Sequence, residues 1–204
     1  RYRRRLAALR RHRRGADYLA RLPEPGVLPG LDRLRWCESI RLITDPPLKA
    51  LGDGREDWIP FEVSRVMRAA TAEVKMITPY FVPGNEGMAE LTSLTERGIS
   101  LEILTNSLSS TDQIVVHGAY RRYRHALLAA GVKLFEYGPR TGRGRMLHGK
   151  TILVDRRLGF VGSYNYDLRS AFLNTEAGIL FEDAGLAAEL DAFFAEATAP
   201  ENAY

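Results

Sequence analysis

Residues 148–165, HGKTILVDRRLGFVGSYN, concentrate the groups of this chain that could do chemistry. A histidine is followed two residues on by a lysine, five residues later by Asp155, and then by Gly162-Ser163-Tyr164-Asn165. In an extended segment successive side chains alternate faces, so His148 and Lys150 point the same way. Asp155 has the opposite parity and is expected to face away, as a partner of the turn or of a nearby arginine. Ile152, Leu153 and Val154 form one strand, Arg156 and Arg157 suit a tight turn, and residues 158–161 make a second strand. Pairing back brings Ser163 and Asn165 towards the level of His148 and Lys150. Gly149 and Gly162 are expected to let backbone or ligand approach closely. An imidazole, an ammonium, a hydroxyl and a carboxamide at one sheet end outline a phosphate site.

Attack on a phosphodiester requires its anionic oxygens to be neutralised and its alkoxide leaving group to be protonated. A neutral imidazole can attack phosphorus in line and become a phosphohistidine, splitting one hard displacement into two. Lys150 supplies fixed positive charge, and Ser163 and Asn165 can donate to the same oxygens. A second acid must protonate the departing oxygen, a task one histidine cannot perform while it attacks. The chemistry needs no cofactor and no metal: there is no H-E-x-x-H and no carboxylate cluster suited to two ions.

The pattern H-x-K-x4-D followed by G-S-x-N resembles the signature of the phospholipase D superfamily. The similarity continues through Asp167, Arg169, Ser170, Asn174 and Glu176 (DLRSAFLNTE), and upstream through TPYFVP at residues 78–83 and TNSLSSTD at residues 105–112. These segments resemble the bacterial cardiolipin synthase branch, and the likeness covers residues 36–194. It implies a phosphatidyltransferase that passes a phosphatidyl group from one phospholipid, such as phosphatidylglycerol, to a glycerol hydroxyl of another. It also implies an acidic residue at Glu176, which would hold the imidazole by one nitrogen and leave the other free to attack. Superfamily enzymes join two such motifs at one site, whereas His12, His117 and His125 are not followed two residues later by lysine. The second motif is expected in a missing N-terminal lobe of a longer protein, or in a homodimer partner. Two other readings stay open: a phosphodiesterase or nuclease working as a homodimer, and a catalytically incomplete lobe that binds phosphate. Asp155 argues against the tyrosyl-DNA phosphodiesterase branch, whose motif lacks it.

The elements that must position these groups follow from the rest of the chain. Its 204 residues suffice for one sizeable core. Apolar content of 45% with 26% charged residues fits an ordinary globular domain. No apolar run is long enough to span a membrane, and the expectation is a cytoplasmic protein whose full-length form associates peripherally with a membrane. The chain begins at Arg1 instead of methionine and reads as part of a longer protein. Cys37, the one cysteine, excludes an intrachain disulfide and any multi-thiolate metal site. The net charge of +4 is concentrated at the start, where eight of the first fourteen residues are arginine. Such a patch suits lipid phosphates or nucleic acid; the motifs favour lipid.

Residues 1–33 read as a basic helical connector and a Pro/Gly linker, and residues 34–204 as the catalytic lobe. The first 22 residues could be a membrane-surface helix or a solvated connector whose thin apolar stripe packs elsewhere. Strands are expected at 39–44, 73–78, 99–105, 132–137 and 176–181. Helices are expected at 61–70, 85–97, from 111 or 112 to 130, at 167–173 and at 186–197. This alternation predicts a layered α/β/α sandwich around a mixed, largely parallel sheet. Within it Tyr80, in a stiff loop at a strand's carboxyl end, and His117, early in the long helix, are candidate walls of the substrate site; the bland alternatives are a plug of the core rim and a structural histidine. The buried stripe of the long helix is expected to be Val115, Ala119, Tyr123, Ala126 and Leu127, with Arg121, Arg122 and Arg124 off it. The loop of residues 138–146, with Arg140, Arg143 and Arg145, could be a substrate lid or an ordinary surface loop.

Overall fold

The computed structural model describes residues 36–52, 54–138 and 146–204. The connector, the linker and the three loop arginines lie outside the described residues. From Cys37 onward the chain forms one compact unit.

Seven strands make a single sheet: β1 (Ser39–Thr44), β2 (Glu73–Ile77), β3 (Ser100–Asn106), β4 (Lys133–Tyr137), β5 (Thr151–Val154), β6 (Leu158–Gly162) and β7 (Ala177–Glu182). Their order is β1-β7-β6-β5-β2-β3-β4. Among the described residues five α-helices accompany them: α1 (Ile59–Arg68), α2 (Gly84–Glu96), α3 (Ile114–Ala129), α4 (Leu168–Phe172) and α5 (Ala184–Ala197).

Alternation along the strands divides the core between two faces. Val74 and Met76, Leu101 and Ile103, and Ile152 and Val154 pack with Val63 and Met67 of α1, Leu91 and Leu94 of α2, and Tyr120 and Leu127 of α3. The opposite parity sends Ile77 and Leu104 to Phe194 of α5, and Leu153 and Phe181 to Ala187 of the same helix. This is the expected α/β/α layering.

The sheet is mixed, as expected, but its parallel share is the smaller one. Only β2–β3 and β3–β4 pair parallel; β1–β7, β7–β6, β6–β5 and β5–β2 are antiparallel. A parallel pair needs a crossover long enough to carry the chain back along the strand. Helices α2 and α3 provide that, whereas α4, at five residues, advances only about 8 Å. The motif half is instead built on a hairpin. Asp155 and Arg156 both have positive φ, 50° and 53°, and Arg157 N–H donates to the Val154 carbonyl at 3.1 Å. Positive φ at both central residues is the turn whose twist matches paired strands.

Helix α3 is rotated relative to expectation. Its buried side is His117, Tyr120 and Leu127, while Val115 and Ala126 are exposed. The aromatic ring of Tyr120 offers more area to bury than either, and its hydroxyl reaches Glu136 at 2.8 Å. Neither Thr111 nor Asp112 caps this helix: Gln113 occupies that position without a side-chain bond. At α4 the Asp167 carboxylate caps the helix, accepting from Ser170 N–H at 2.8 Å.

Candidate active site

The phosphate-site groups gather where β5 begins and β6 ends. His148 is exposed and Lys150 half-buried, both in the extended segment leading into β5. The Lys150 carbonyl accepts Gly162 N–H at 3.2 Å, which seats the lysine beside the end of β6. Its ammonium donates to the His148 carbonyl at 3.0 Å. Burial pulls the Lys150 pKa below its usual value, against the opposing pull of the Glu176, Asp167 and Asp112 carboxylates. Those three carboxylates favour the charged ammonium, the form that would hold a phosphate.

The His148 backbone is fixed by a residue that sequence reasoning did not single out. Asn106, buried at the end of β3, grips Leu147 on both sides: its amide donates to the Leu147 carbonyl at 2.9 Å and its oxygen accepts Leu147 N–H at 3.0 Å. The same oxygen accepts from Ser110 at 3.1 Å. A polar side chain mimicking a strand partner at a strand's carboxyl end was the available signal, since the TNS segment was recognised only as a pattern.

Tyr80 lies beside the histidine, its ring edge-on to the imidazole with 6.1 Å between centroids. Its hydroxyl donates to Asp112 at 2.8 Å, and burial, then the Asp112 carboxylate, push its pKa up to about 12. His117 is buried at 8% exposure and packs against Tyr120 at 5.4 Å, in a small cleft with Pro79, Phe81 and Asn106. Its Nδ1 has no described partner. The histidine thus sits in the packing beneath the loop that carries Tyr80.

Glu176, the residue before β7, is buried, and both its oxygens are engaged by neighbours other than His148. Ser163 Oγ donates to Oε2, and the Asn174 amide donates to Oε1 at 3.2 Å. Among the described residues no bond joins Glu176 to the imidazole, so the expected direct orienting contact is absent. The geometry instead couples Glu176 to Ser163, which also accepts Ala177 N–H at 3.0 Å. Asn165 reaches Ser170 at 3.3 Å, and its buried Oδ1 lacks a described partner.

An internal ion pair anchors this corner, again from a stretch that reads only as irregular in sequence. Lys49 and Asp45 side chains are fully buried, with Nζ 2.6 Å from Oδ2. Lys49 also donates to the Ser170 carbonyl at 2.8 Å, while Asp45 accepts the N–H groups of Ile59 at 2.8 Å and Glu176 at 2.9 Å. The pair ties the 45–59 segment to α4 and to Glu176. These bonds offset the hydration that both charges lose in a dry interior.

Asp155 stands at the far end of β5, roughly 17 Å of extended chain from Lys150. Its carboxylate accepts from Thr71 N–H and Oγ1, Ala72 N–H and Glu73 N–H, all at 2.8–2.9 Å. Its partners are a loop backbone and the Thr71 hydroxyl, not an arginine. Gly162 is a close approach: a Cβ there would meet the Ala177 carbonyl at 2.5 Å and Gly178 Cα at 2.7 Å. Gly149 has room, its nearest neighbour being Ile77 at 3.6 Å.

A cavity of about 460 Å³ opens beside Asp167, lined among others by Phe61, Tyr123, Tyr164, Tyr166 and Phe172. No described helix is long and apolar enough to cross a membrane.

Comparison with known proteins gives this geometry its context. The family described as "Cardiolipin synthase, PLD-like domain" matches residues 63–198. Cardiolipin synthase C of Escherichia coli is 37% identical over 183 residues, covering 83% of this chain and 38% of that protein. The chain thus spans well under half the length of the curated relatives it matches. Among solved structures, the phospholipase D family member Nuc of Salmonella typhimurium aligns with a TM-score of 0.60 at 18% identity, covering 81% of this chain and 97% of Nuc. Phosphatidylserine synthase of Haemophilus influenzae aligns with a TM-score of 0.61 at 17% identity, covering 76% of this chain and 38% of that one. These two likenesses are of fold. With the sequence match, they identify this chain as a member of the phospholipase D superfamily, in its cardiolipin synthase branch.

Proposed function

We propose that this chain supplies one half of a phosphatidyltransferase site of the cardiolipin synthase type, with His148 as nucleophile. The carrying observation is the exposed imidazole of His148 beside a half-buried ammonium, Lys150, that makes one described bond and has donor capacity to spare. In the first step an imidazole nitrogen attacks phosphorus, the N–P bond forms, and the P–O bond to the departing glycerol breaks. That oxygen takes its proton from the acid of a second motif. In the second step a lipid glycerol hydroxyl attacks the phosphohistidine, gives its proton to the same group, and regenerates His148. Lys150 and Asn165 hold the equatorial oxygens. Ser163, fixed by Glu176, bounds the site on the β7 side, and Tyr80 on the β2 side. The aromatic cavity beyond Asp167 offers space for the apolar part of a donor lipid.

The site is half of a whole. Apart from the unity of the motif, an exposed apolar row supports a docked second lobe or second copy: Ile40, Leu42, Val161 and Ile179 are 59%, 72%, 41% and 38% exposed. Leu42 pairs with Ile179, and Ile179 with Val161, so they adjoin across three strands.

The test is an assay of the chain and of the longer protein on phosphatidylglycerol, on a generic phosphodiester and on nucleic acid. The expected result is release of glycerol with formation of a lipid bearing two phosphatidyl groups, by the longer protein only, together with an acid-labile phosphoenzyme lost in His148→Ala. Cleavage of nucleic acid alone would replace the transferase with a nuclease. Turnover by a strictly monomeric chain would overturn the half-site.

A further inference from the structure

We propose that the outward face of α3 docks on a bilayer containing anionic lipid. The sixteen residues of α3 include three arginines and two histidines and no aspartate or glutamate. Its inner side is occupied by His117, Tyr120 and Leu127, and Arg124 is engaged by Glu136 at 3.1 Å. Helical periodicity then gathers Ile114, Val115, Gly118, Arg121, Arg122 and His125 on the opposite side, where all six are exposed. Ile114 and Val115 are 70% and 86% exposed. Among the described residues no carboxylate pairs with Arg121 or Arg122.

Two features select a lipid surface. The charge is complementary to phosphate headgroups, and each arginine near an anionic membrane strengthens binding about fivefold. The branched apolar pair lies one to two turns from those arginines, which suits an interface where apolar side chains sink below the headgroups and guanidinium groups stay among the phosphates. A nucleic-acid backbone would use the arginines and leave Ile114 and Val115 in water. The position also matters. Asp112, two residues before the helix, accepts the Tyr80 hydroxyl at 2.8 Å, and the Tyr80 ring abuts His148. The apolar end of α3 is therefore at the rim of the site, and a bilayer engaged there presents headgroups to it. Only this last consequence rests on the lipid reading of the chemistry; the docking surface does not.

The experiment measures binding of the full chain to vesicles of phosphatidylcholine with and without one-third phosphatidylglycerol. A Val115→Trp reporter should shift its emission to the blue on anionic vesicles and be quenched by brominated acyl chains. Arg121→Gln with Arg122→Gln should weaken binding about 25-fold, and Ile114→Ser with Val115→Ser should remove the part that survives high salt. All four side chains are exposed, so the variants keep the fold. Binding that leaves the reporter in water would assign the membrane contact to another part of the chain and overturn the proposal. So would a change in oligomeric state with unaltered vesicle binding, or arginine-dependent binding to an oligonucleotide with none to vesicles. His148→Ala should bind vesicles as the unaltered chain does. Docking without phosphatidyl transfer would sink the proposed reaction alone, and transfer with vesicle binding unaltered in both double variants would sink the docking surface alone.

Discussion

The two ends of β5 carry the same short motif and are built on opposite terms. At the turn end, Asp155 spends its carboxylate on four donors from Thr71, Ala72 and Glu73. At the other end, His148 is exposed, and the Lys150 ammonium makes one described bond, to a carbonyl. A saturated carboxylate fixes a loop and has nothing left for a ligand. A cation with unspent donors, its charge favoured by Glu176, Asp167 and Asp112, favours the arrival of an anion only once its own cost of burial is met. The contrast separates stability from reactivity within eight residues.

The largest expected break in that contrast is His148→Ala in the longer protein. Removal of a nucleophile should reduce turnover by roughly 10⁴-fold or more, with an unchanged denaturation midpoint, because the side chain is exposed. A comparable loss of stability would mean that the histidine belongs to the scaffold. Lys49→Met should act the other way round. It leaves the buried Asp45 carboxylate without its cation, and about 3–5 kcal/mol of stability should disappear in urea unfolding; activity would fall because Glu176 and Ser170 lose their anchor.

Asp155→Asn should cost about 1–3 kcal/mol with little effect on the chemistry of folded protein. The four donors hold the Asp155 pKa below its ordinary value despite burial. The folded value lies below the unfolded one, so this stabilisation is complete above the usual carboxylate range and is lost as pH falls through the folded value. The asparagine variant should therefore show a shallower loss of stability in acid, read from midpoints at several pH values. The smallest effect belongs to Tyr80→Phe. It removes one hydrogen bond to Asp112, worth about 1 kcal/mol, while the ring stays beside His148; substrate affinity should change a few fold and the melting temperature hardly at all.

Strand and helix positions were legible because period-two and period-3.6 patterns are local. Ser39–Thr44 is where the pattern put it, and the other elements shift by one to three residues at their ends. The parity of His148, Lys150 and Asp155 was equally local, since it depends on extension alone. Pairing direction was not, because alternation of strands and helices does not say which connections are long enough to be crossovers, and α4 is too short to be one. The stripe of α3 also escaped, because Val115 and Tyr120 compete for burial and only the neighbouring strands decide which wins.

The sequence by itself determined the motif, its strand–turn–strand setting and the opposite parity of Asp155, all consequences of residue type and near spacing. The tertiary structure alone decided that Glu176 is bonded to Ser163 instead of His148, that Asn106 grips Leu147, and that a buried Asp45–Lys49 pair holds Ser170 and Glu176. Those contacts span up to 131 positions of chain. Their geometry depends on which strands lie side by side, and no local period encodes that.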